Sequence, residues 1–240
     1  MNTLLISASS RGHVDHGWLD AYHTFSFASY HDPNRMHFGA LRVLNDDIVL
    51  PKEGFGTHPH DNMEIITIPL YGSIAHKDSM GKAEVLNAGE VQVMSAGTGI
   101  THSEYNASED KPLNLFQIWI FPNKKDVAPR YAHRKFDFFH SKNQLVQIVG
   151  PENDPANTGL WIHQSAWLNI GTFEKGKEIE YPLNGEGTGV FVMVIEGEFT
   201  IEGQRLHQRD ALCVWNTGHI KIVANTDDAR ILLIEVLLEF

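Results

Sequence analysis

Short runs of β-branched and aromatic residues recur along the whole chain, each closed by Gly, Asn, Asp or Pro, and this rhythm limits the fold more than any other feature. ALRVLNDDIVL (40–50), EIITIPLYG (64–72), EVQVMSAG (90–97) and LNLFQIWIF (113–121) carry it in the first half. GVFVMVIEGEFTIEG (189–203), ALCVW (211–215), IKIVAN (220–225) and ILLIEVLLEF (231–240) carry it in the second. Such runs are strands bounded by turns. Helical periodicity is scarce; the last run has helical propensity, but its surroundings favour a strand. Many short strands at regular spacing predict an all-β sandwich or barrel. With 240 residues, 42% of them hydrophobic, the chain can fill one large core or two ordinary ones.

The two halves repeat each other. Gly89 and Gly97 bracket EVQVMSA, and Asp210 and Gly218 bracket ALCVWNT at the same interval. Both segments end in a small polar turn, SAG or NTG. Upstream of each stands an apolar run closing on glycine, PLYG at 69–72 and VIEG at 194–197. The pattern predicts a duplicated β-barrel unit. The basic stretch FPNKKDVAPRYAHRKFDFFH (121–140) interrupts it and reads as the connection, which places one domain at 1–135 and the other at 136–240.

GFGTHPHDNMEI (54–65) sets His58 and His60 two residues apart, and residues i and i+2 of a strand share a face. SAGTGITHSEYN (95–106) repeats the spacing with His102 and Glu104. If these strands lie side by side, three imidazoles and one carboxylate converge on one point. That donor set suits Fe, Ni, Cu, Mn or Zn and carries no thiolate preference.

Charge and cysteine usage narrow the setting. A formal net charge of −11, with no clustered Lys/Arg patch, argues against direct nucleic-acid binding. Cys213 is the sole cysteine; it lies in an alternating apolar run and reads as a buried thiol in a reducing compartment. No apolar run reaches the ~18 residues that span a bilayer, and MNTLLISASSRG lacks the features of a secretory signal. The expectation is a cytoplasmic protein with no membrane partner.

The segments HTFSFASYHDP (23–33), MHFGALRVLNDD (36–47), GFGTHPHDNMEIITI (54–68), GSIAHKDSMG (72–81) and GEVQVMSAGTGITHSEYN (89–106) together resemble the pirin family of the cupin superfamily, and among pirins the bacterial ones associated with quercetinase activity. The resemblance implies a bicupin, two packed barrels of the double-stranded β-helix type. It implies metal ligands at His58, His60, His102 and Glu104, and a divalent transition metal, Fe(II) first, with Ni, Cu, Mn or Zn as alternatives. Glu64 and Asn106 occupy the general cupin places for a glutamate and an asparagine. Many other cupins take the carboxylate ligand from the first motif, which would nominate Glu64; the pirin pattern takes Glu104 and leaves Glu64 either next to the ligands or as a buried, hydrogen-bonded acid, with Asn106 and Gln117 also expected around the ligand set.

GKEIEYPLNGEG (176–187) holds no H-x-H, and HIKI follows Gly218 where a ligand histidine would align, so the second barrel is expected to be metal-free. His76 and Asp78 read as a polar hairpin turn. His163, near Trp161 and Trp167, reads as a packing or hydrogen-bonding histidine. Gln117 and Trp119 share a strand face, with the metal cavity and ordinary core as alternatives. HTFSFASYHDP reads as structural.

The resemblance implies two functions of different class. One is a quercetin 2,3-dioxygenase-like oxidoreductase: a flavonol loses its 3-hydroxyl proton to Glu104, dioxygen adds, and carbon monoxide and a depside leave. The other is a metal- or redox-dependent regulatory protein acting on a protein partner. The acidity and the bacterial-pirin motifs favour the enzyme.

Overall fold

The computed structural model describes residues 1–240, a chain of strands and connecting loops whose one helical element is a short 3-10 turn at Ala8–Ser10. In the first half, a seven-stranded sheet runs in the order Arg130–Lys135, Glu90–Ser95, Glu64–Tyr71, Leu113–Ile120, Leu41–Val49, Leu19–His23, Gly12–Asp15. Its companion is a four-stranded sheet ordered Gly54–His60, Ile100–Asn106, Ser73–Asp78, Ala83–Asn87. The second half repeats the plan. A seven-stranded sheet runs Asn2–Ile6, Ala211–Trp215, Thr188–Glu196, Ala229–Leu237, Ala166–Phe173, Gln144–Pro151, Leu160–Ile162, with a four-stranded sheet ordered Glu178–Pro182, His219–Ala224, Phe199–Ile201, Gln204–Leu206.

The duplicated segments take matching places. Glu90–Ser95 lies second in its sheet beside Glu64–Tyr71, and Ala211–Trp215 lies second beside Thr188–Glu196. The turns after them solve the same bend with different residues. Gly97 adopts φ 48°, and a Cβ there would meet the Val127 carbonyl oxygen at 2.0 Å. In NTG the left-handed residue is Asn216, at φ 57°, a conformation asparagine tolerates. The outer strands cross over in sequence: Asn2–Ile6, first in the chain, completes the second-half sheet by pairing with Ala211–Trp215.

The first seven-stranded sheet is buried on both faces, which explains why its strands read as continuous apolar runs instead of alternating ones. Ile66, Ile68, Val91, Val93, Phe116 and Ile118 face the second half and join Phe191, Met193, Ile195, Cys213, Leu232 and Ile234 in one cluster of 29 buried residues. Cys213 sits there as a packed thiol whose pKa burial pushes up to about 12.

One buried ion-pair network crosses the same boundary. Asp46 accepts from Arg209 Nε at 2.8 Å, from Arg11 NH1 at 3.4 Å and from Asn114 Nδ2 at 2.8 Å. Arg209 also donates to the Ile195 carbonyl. A carboxylate of the first half is thereby bound to a guanidinium of the second.

The opposite face of each seven-stranded sheet lines a barrel, and the two interiors differ. The second holds one apolar cluster of 16 residues. The first is split into clusters of 7 and 4. Polar side chains occupy the space between.

Candidate metal centre

Gly54–His60 is an edge strand, where Pro59 breaks no ladder because its missing N–H would face outward. It pairs with Ile100–Asn106, so that His58 faces His102 and His60 faces Ile100. A bulge between His102 and Glu104 then moves Glu104 opposite Phe55. Bulges re-aim side chains in this way beside functional sites.

The result is a near-equilateral imidazole triangle. Ring centres lie 4.8 Å apart for His58 and His60, 4.5 Å for His58 and His102, and 4.9 Å for His60 and His102. One nitrogen from each ring lies within 4.8 Å of the others. Burial, then the neighbouring imidazoles, pulls His60 down to about 4 and His102 down to about 3. Both rings are therefore neutral near pH 7, as metal ligands must be.

Glu104 is buried beside them. Gln92 Nε2 donates to its Oε1 at 2.6 Å, Thr67 Oγ1 to the same oxygen at 3.2 Å, and Gln117 Nε2 to Oε2 at 2.7 Å. Three neutral donors hold the carboxylate in place. Thr67, Gln92 and Gln117 come from three neighbouring strands of the larger sheet, each in the barrel-facing phase.

Two observations show that these residues fit a transition-metal ion. Both ring nitrogens of His102 are buried without a hydrogen-bond partner, a condition costing about 1–3 kcal/mol per group unless something binds there. And His58 Nδ1 lies 2.8 Å from the Gly56 carbonyl oxygen. A carbonyl only accepts, so Nδ1 carries the hydrogen and Nε2 presents its lone pair, the usual way a ligand histidine is oriented. His60 meets the edge of Trp119 with ring centres 4.9 Å apart, and Trp119 in turn meets Phe27 at 5.3 Å, which walls the site with aromatic carbon.

Other residues fall differently from expectation. Gln117 touches Glu104, which resolves its two alternatives. Glu64 takes the second of its two alternatives, a buried, hydrogen-bonded acid in the larger sheet: Ser95 Oγ donates to it at 2.7 Å, and burial raises it to about 7. Asn106 lies at the end of the His102 strand, where its amide donates to the Val49 and Lys111 carbonyls and its oxygen accepts from Ser108 N–H. It holds a loop. His163 packs edge-on against Trp161 at 5.1 Å.

The hairpin reading of His76 and Asp78 needs correction. Asp78 does cap the turn, accepting from the N–H groups of Met80 and Lys82. Yet both side chains are buried inside the barrel, and His76 brings a donor atom within 4.8 Å of donors from His102 and Glu104. The phase was legible, since Ile74, His76 and Asp78 alternate with exposed or half-buried neighbours.

The matching ladder of the second barrel is apolar. Where His58 faces His102, Ile179 faces Ile222; where His60 faces Ile100, Tyr181 faces Ile220.

Comparison with known proteins agrees with this architecture. Residues 6–120 match the Pirin family model, and residues 147–236 match the model described as Quercetinase C-terminal cupin domain. The chain is 46% identical over 228 residues to the quercetin 2,3-dioxygenase of Escherichia coli K12, covering 95% of this chain and 96% of that one. It is 40% identical to a pirin-like protein of Caulobacter vibrioides, over 93% and 95%. The bacterial pirin YhhW from Escherichia coli, solved in complex with nickel(II), superposes with a TM-score of 0.91 at 42% identity, over 98% of this chain and 99% of that one. A relative this similar over nearly the full length, together with duplicated barrels of which one gathers three histidines and a glutamate, decides the matter: the chain belongs to the pirin family of the cupin superfamily and is a bicupin.

Proposed function

We propose that the protein is a metal-dependent dioxygenase acting on flavonols of the quercetin type, with His58, His60, His102 and Glu104 as the ligands of one divalent ion. The observation carrying this is the pair of unpartnered, buried nitrogens on His102 beside a buried carboxylate, in a barrel whose twin is apolar at the same places. Fe(II) is the first candidate by family resemblance, and the nickel complex of the Escherichia coli relative supports Ni(II).

A bound ion would act as a Lewis acid toward the substrate's vicinal oxygens. Glu104 accepts the 3-hydroxyl proton on a carboxylate oxygen while Gln92 and Gln117 hold its orientation. Trp119 and Phe27 give the planar ring system an apolar wall against which it can stack. The overall reaction adds both atoms of dioxygen to the flavonol ring and releases one ring carbon as carbon monoxide, leaving a depside.

The test is metal analysis of the purified protein with quercetin turnover measured aerobically and anaerobically. Glu104→Gln, compared at equal metal occupancy, should lower turnover by ~10²–10⁴-fold, the range for a lost general base. Oxygen-independent consumption, or a metal-loaded protein without turnover, overturns this reading and favours the regulatory one.

A further inference from the structure

A histidine that binds a metal through one nitrogen carries a hydrogen on the other, and that N–H needs an acceptor when it is buried. His58 finds its acceptor in the Gly56 carbonyl. His102 is 1% exposed, and neither of its nitrogens has a partner. Beside it stands His76.

His76 Nε2 lies 3.2 Å from Asp78 Oδ2. Asp78 is itself fixed, because its other oxygen accepts from the Met80 and Lys82 N–H groups. A carboxylate accepts, so Nε2 of His76 donates. The tautomer is then set, and Nδ1 is left as a bare acceptor. That Nδ1 is buried without a partner. Tyr131 stacks on the ring with centres 4.6 Å apart and planes 23° apart, which keeps it from turning. The His76 and His102 ring centres are 5.3 Å apart. One nitrogen of His76 lies within 4.8 Å of one nitrogen of His102, a gap that a small rotation of the His102 ring closes to the ~3 Å of an N–H···N bond. An unused acceptor thus lies close to an unused donor. The strand ladder sets the pair side by side, with Asp78 opposite His102 and His76 opposite Glu104.

We propose that His76 is the positioning residue of the metal centre: once an ion holds His102 through one nitrogen, His76 receives the N–H of the other, so that Asp78, His76 and His102 form a relay that orients the ligand and raises its donor strength. This rests on His102 being a ligand, as argued above. Glu104 is not that acceptor in this reading, because its carboxylate, held by Gln92, Thr67 and Gln117, is assigned to the ion.

The experiment reads metal binding, independent of turnover. Zn²⁺ affinity is measured by competition with a chromophoric chelator, and the Cu²⁺-loaded protein is studied by pulsed EPR, which senses the remote nitrogen of each ligating imidazole. His76→Phe keeps the stack on Tyr131 but removes the acceptor. It should weaken Zn²⁺ binding by ~10–100-fold, the range for lost outer partners of ligand histidines, and should change the remote-nitrogen signal of one imidazole. Asp78→Asn, which keeps the side-chain size, should move both readouts the same way by less, and it serves if His76→Phe does not fold. Tyr131→Phe, which keeps the ring and loses only the hydroxyl, should leave both unchanged. Unaltered affinity and an unaltered EPR signal in folded His76→Phe and Asp78→Asn would overturn the proposal while leaving the ligand assignment intact. An equal loss in Tyr131→Phe would move the effect from His76 to the Tyr131 hydroxyl and overturn the proposal. A wild type that binds neither ion would sink both readings together.

Discussion

Replacing His102 by leucine should reverse the order of stability between mutant and wild type, depending on whether metal is present. The imidazole is 1% exposed, and both nitrogens lack partners in the protein. Without an ion the folded wild type therefore carries a buried donor and a buried acceptor unsatisfied, at about 1–3 kcal/mol for each group. Leucine is close in volume, removes both polar atoms and leaves no new orphan, because His76 Nδ1 has no partner already. Part of the gain is offset by imperfect packing, typically ~1 kcal/mol for a shape change of this kind. The metal-free variant should be about 1–5 kcal/mol more stable than the metal-free wild type. At about 2–4 °C per kcal/mol for a chain of this length, the thermal midpoint should rise by several degrees.

Metal inverts the order. An ion that binds only the folded protein adds about 4 kcal/mol at a thousandfold excess over its Kd. The wild type gains that increment and His102→Leu does not. Differential scanning calorimetry in a chelator, and again in excess Zn²⁺, measures both. A metal-free variant melting well below the metal-free wild type would refute the reasoning, since the nitrogens would then have been satisfied or the ring irreplaceable. So would an equal shift of both proteins on adding Zn²⁺.

Two further perturbations test the surroundings of the site. Glu64 is 1% exposed, and its pKa is raised from 4.5 to about 7, first by burial. The folded protein therefore retains a proton that the unfolded chain releases, and this group's contribution to stability declines as pH rises through that window. Glu64→Gln should gain on the wild type by up to about 3 kcal/mol between pH 5 and pH 8 in urea titrations, with unchanged metal content; a constant difference would show that Glu64 is ionised throughout. Asp46→Ala would leave Arg11 and Arg209 without their shared carboxylate between the two halves, and should cost about 3–5 kcal/mol in the same assay; a loss below 1 kcal/mol would mean that water already screens the network.

The strands and the histidine triangle were legible because they rest on local rules. Turn residues mark the strand ends, and the i, i+2 spacing puts His58 with His60 and His102 with Glu104 on one face. What the sequence hid were relations between sheets. EIITIPLY (64–71) shows no alternation because Ile66 and Ile68 pack against the second half while Ile65 and Thr67 line the barrel. Two buried faces erase the contrast by which an inward threonine is recognised. Thr67 and Gln92 passed unnoticed for this reason. Glu64 stayed ambiguous for a different reason. It follows His60 closely in sequence, but the chain passes from the four-stranded to the seven-stranded sheet between them, and motif spacing does not show such a change of sheet.

The two barrels share one topology and divide its demands. A metal-ready interior cannot also be a good core: Thr67, Gln92, Glu104, Gln117, His76, Asp78 and His102 are all buried in the first half, and they leave apolar clusters of only 7 and 4 residues around them. The second barrel fills the equivalent space with 16 apolar side chains. Its one deep carboxylate, Glu235, is fully occupied by Tyr181, Asn184, Gly185 and Thr188. The two are joined through the 29-residue cluster between their larger sheets. At about 25 cal/mol per Å² of buried apolar surface, that shared layer is the largest single source of hydrophobic stabilisation in the molecule. Ten of its 29 residues belong to the first barrel's own sheet. The sheet that supplies Thr67, Gln92 and Gln117 to Glu104 is thus held rigid from behind by the second barrel. The apolar barrel brings no ligand set of its own, yet it lets its twin keep a polar and partly unsatisfied interior without losing the fold.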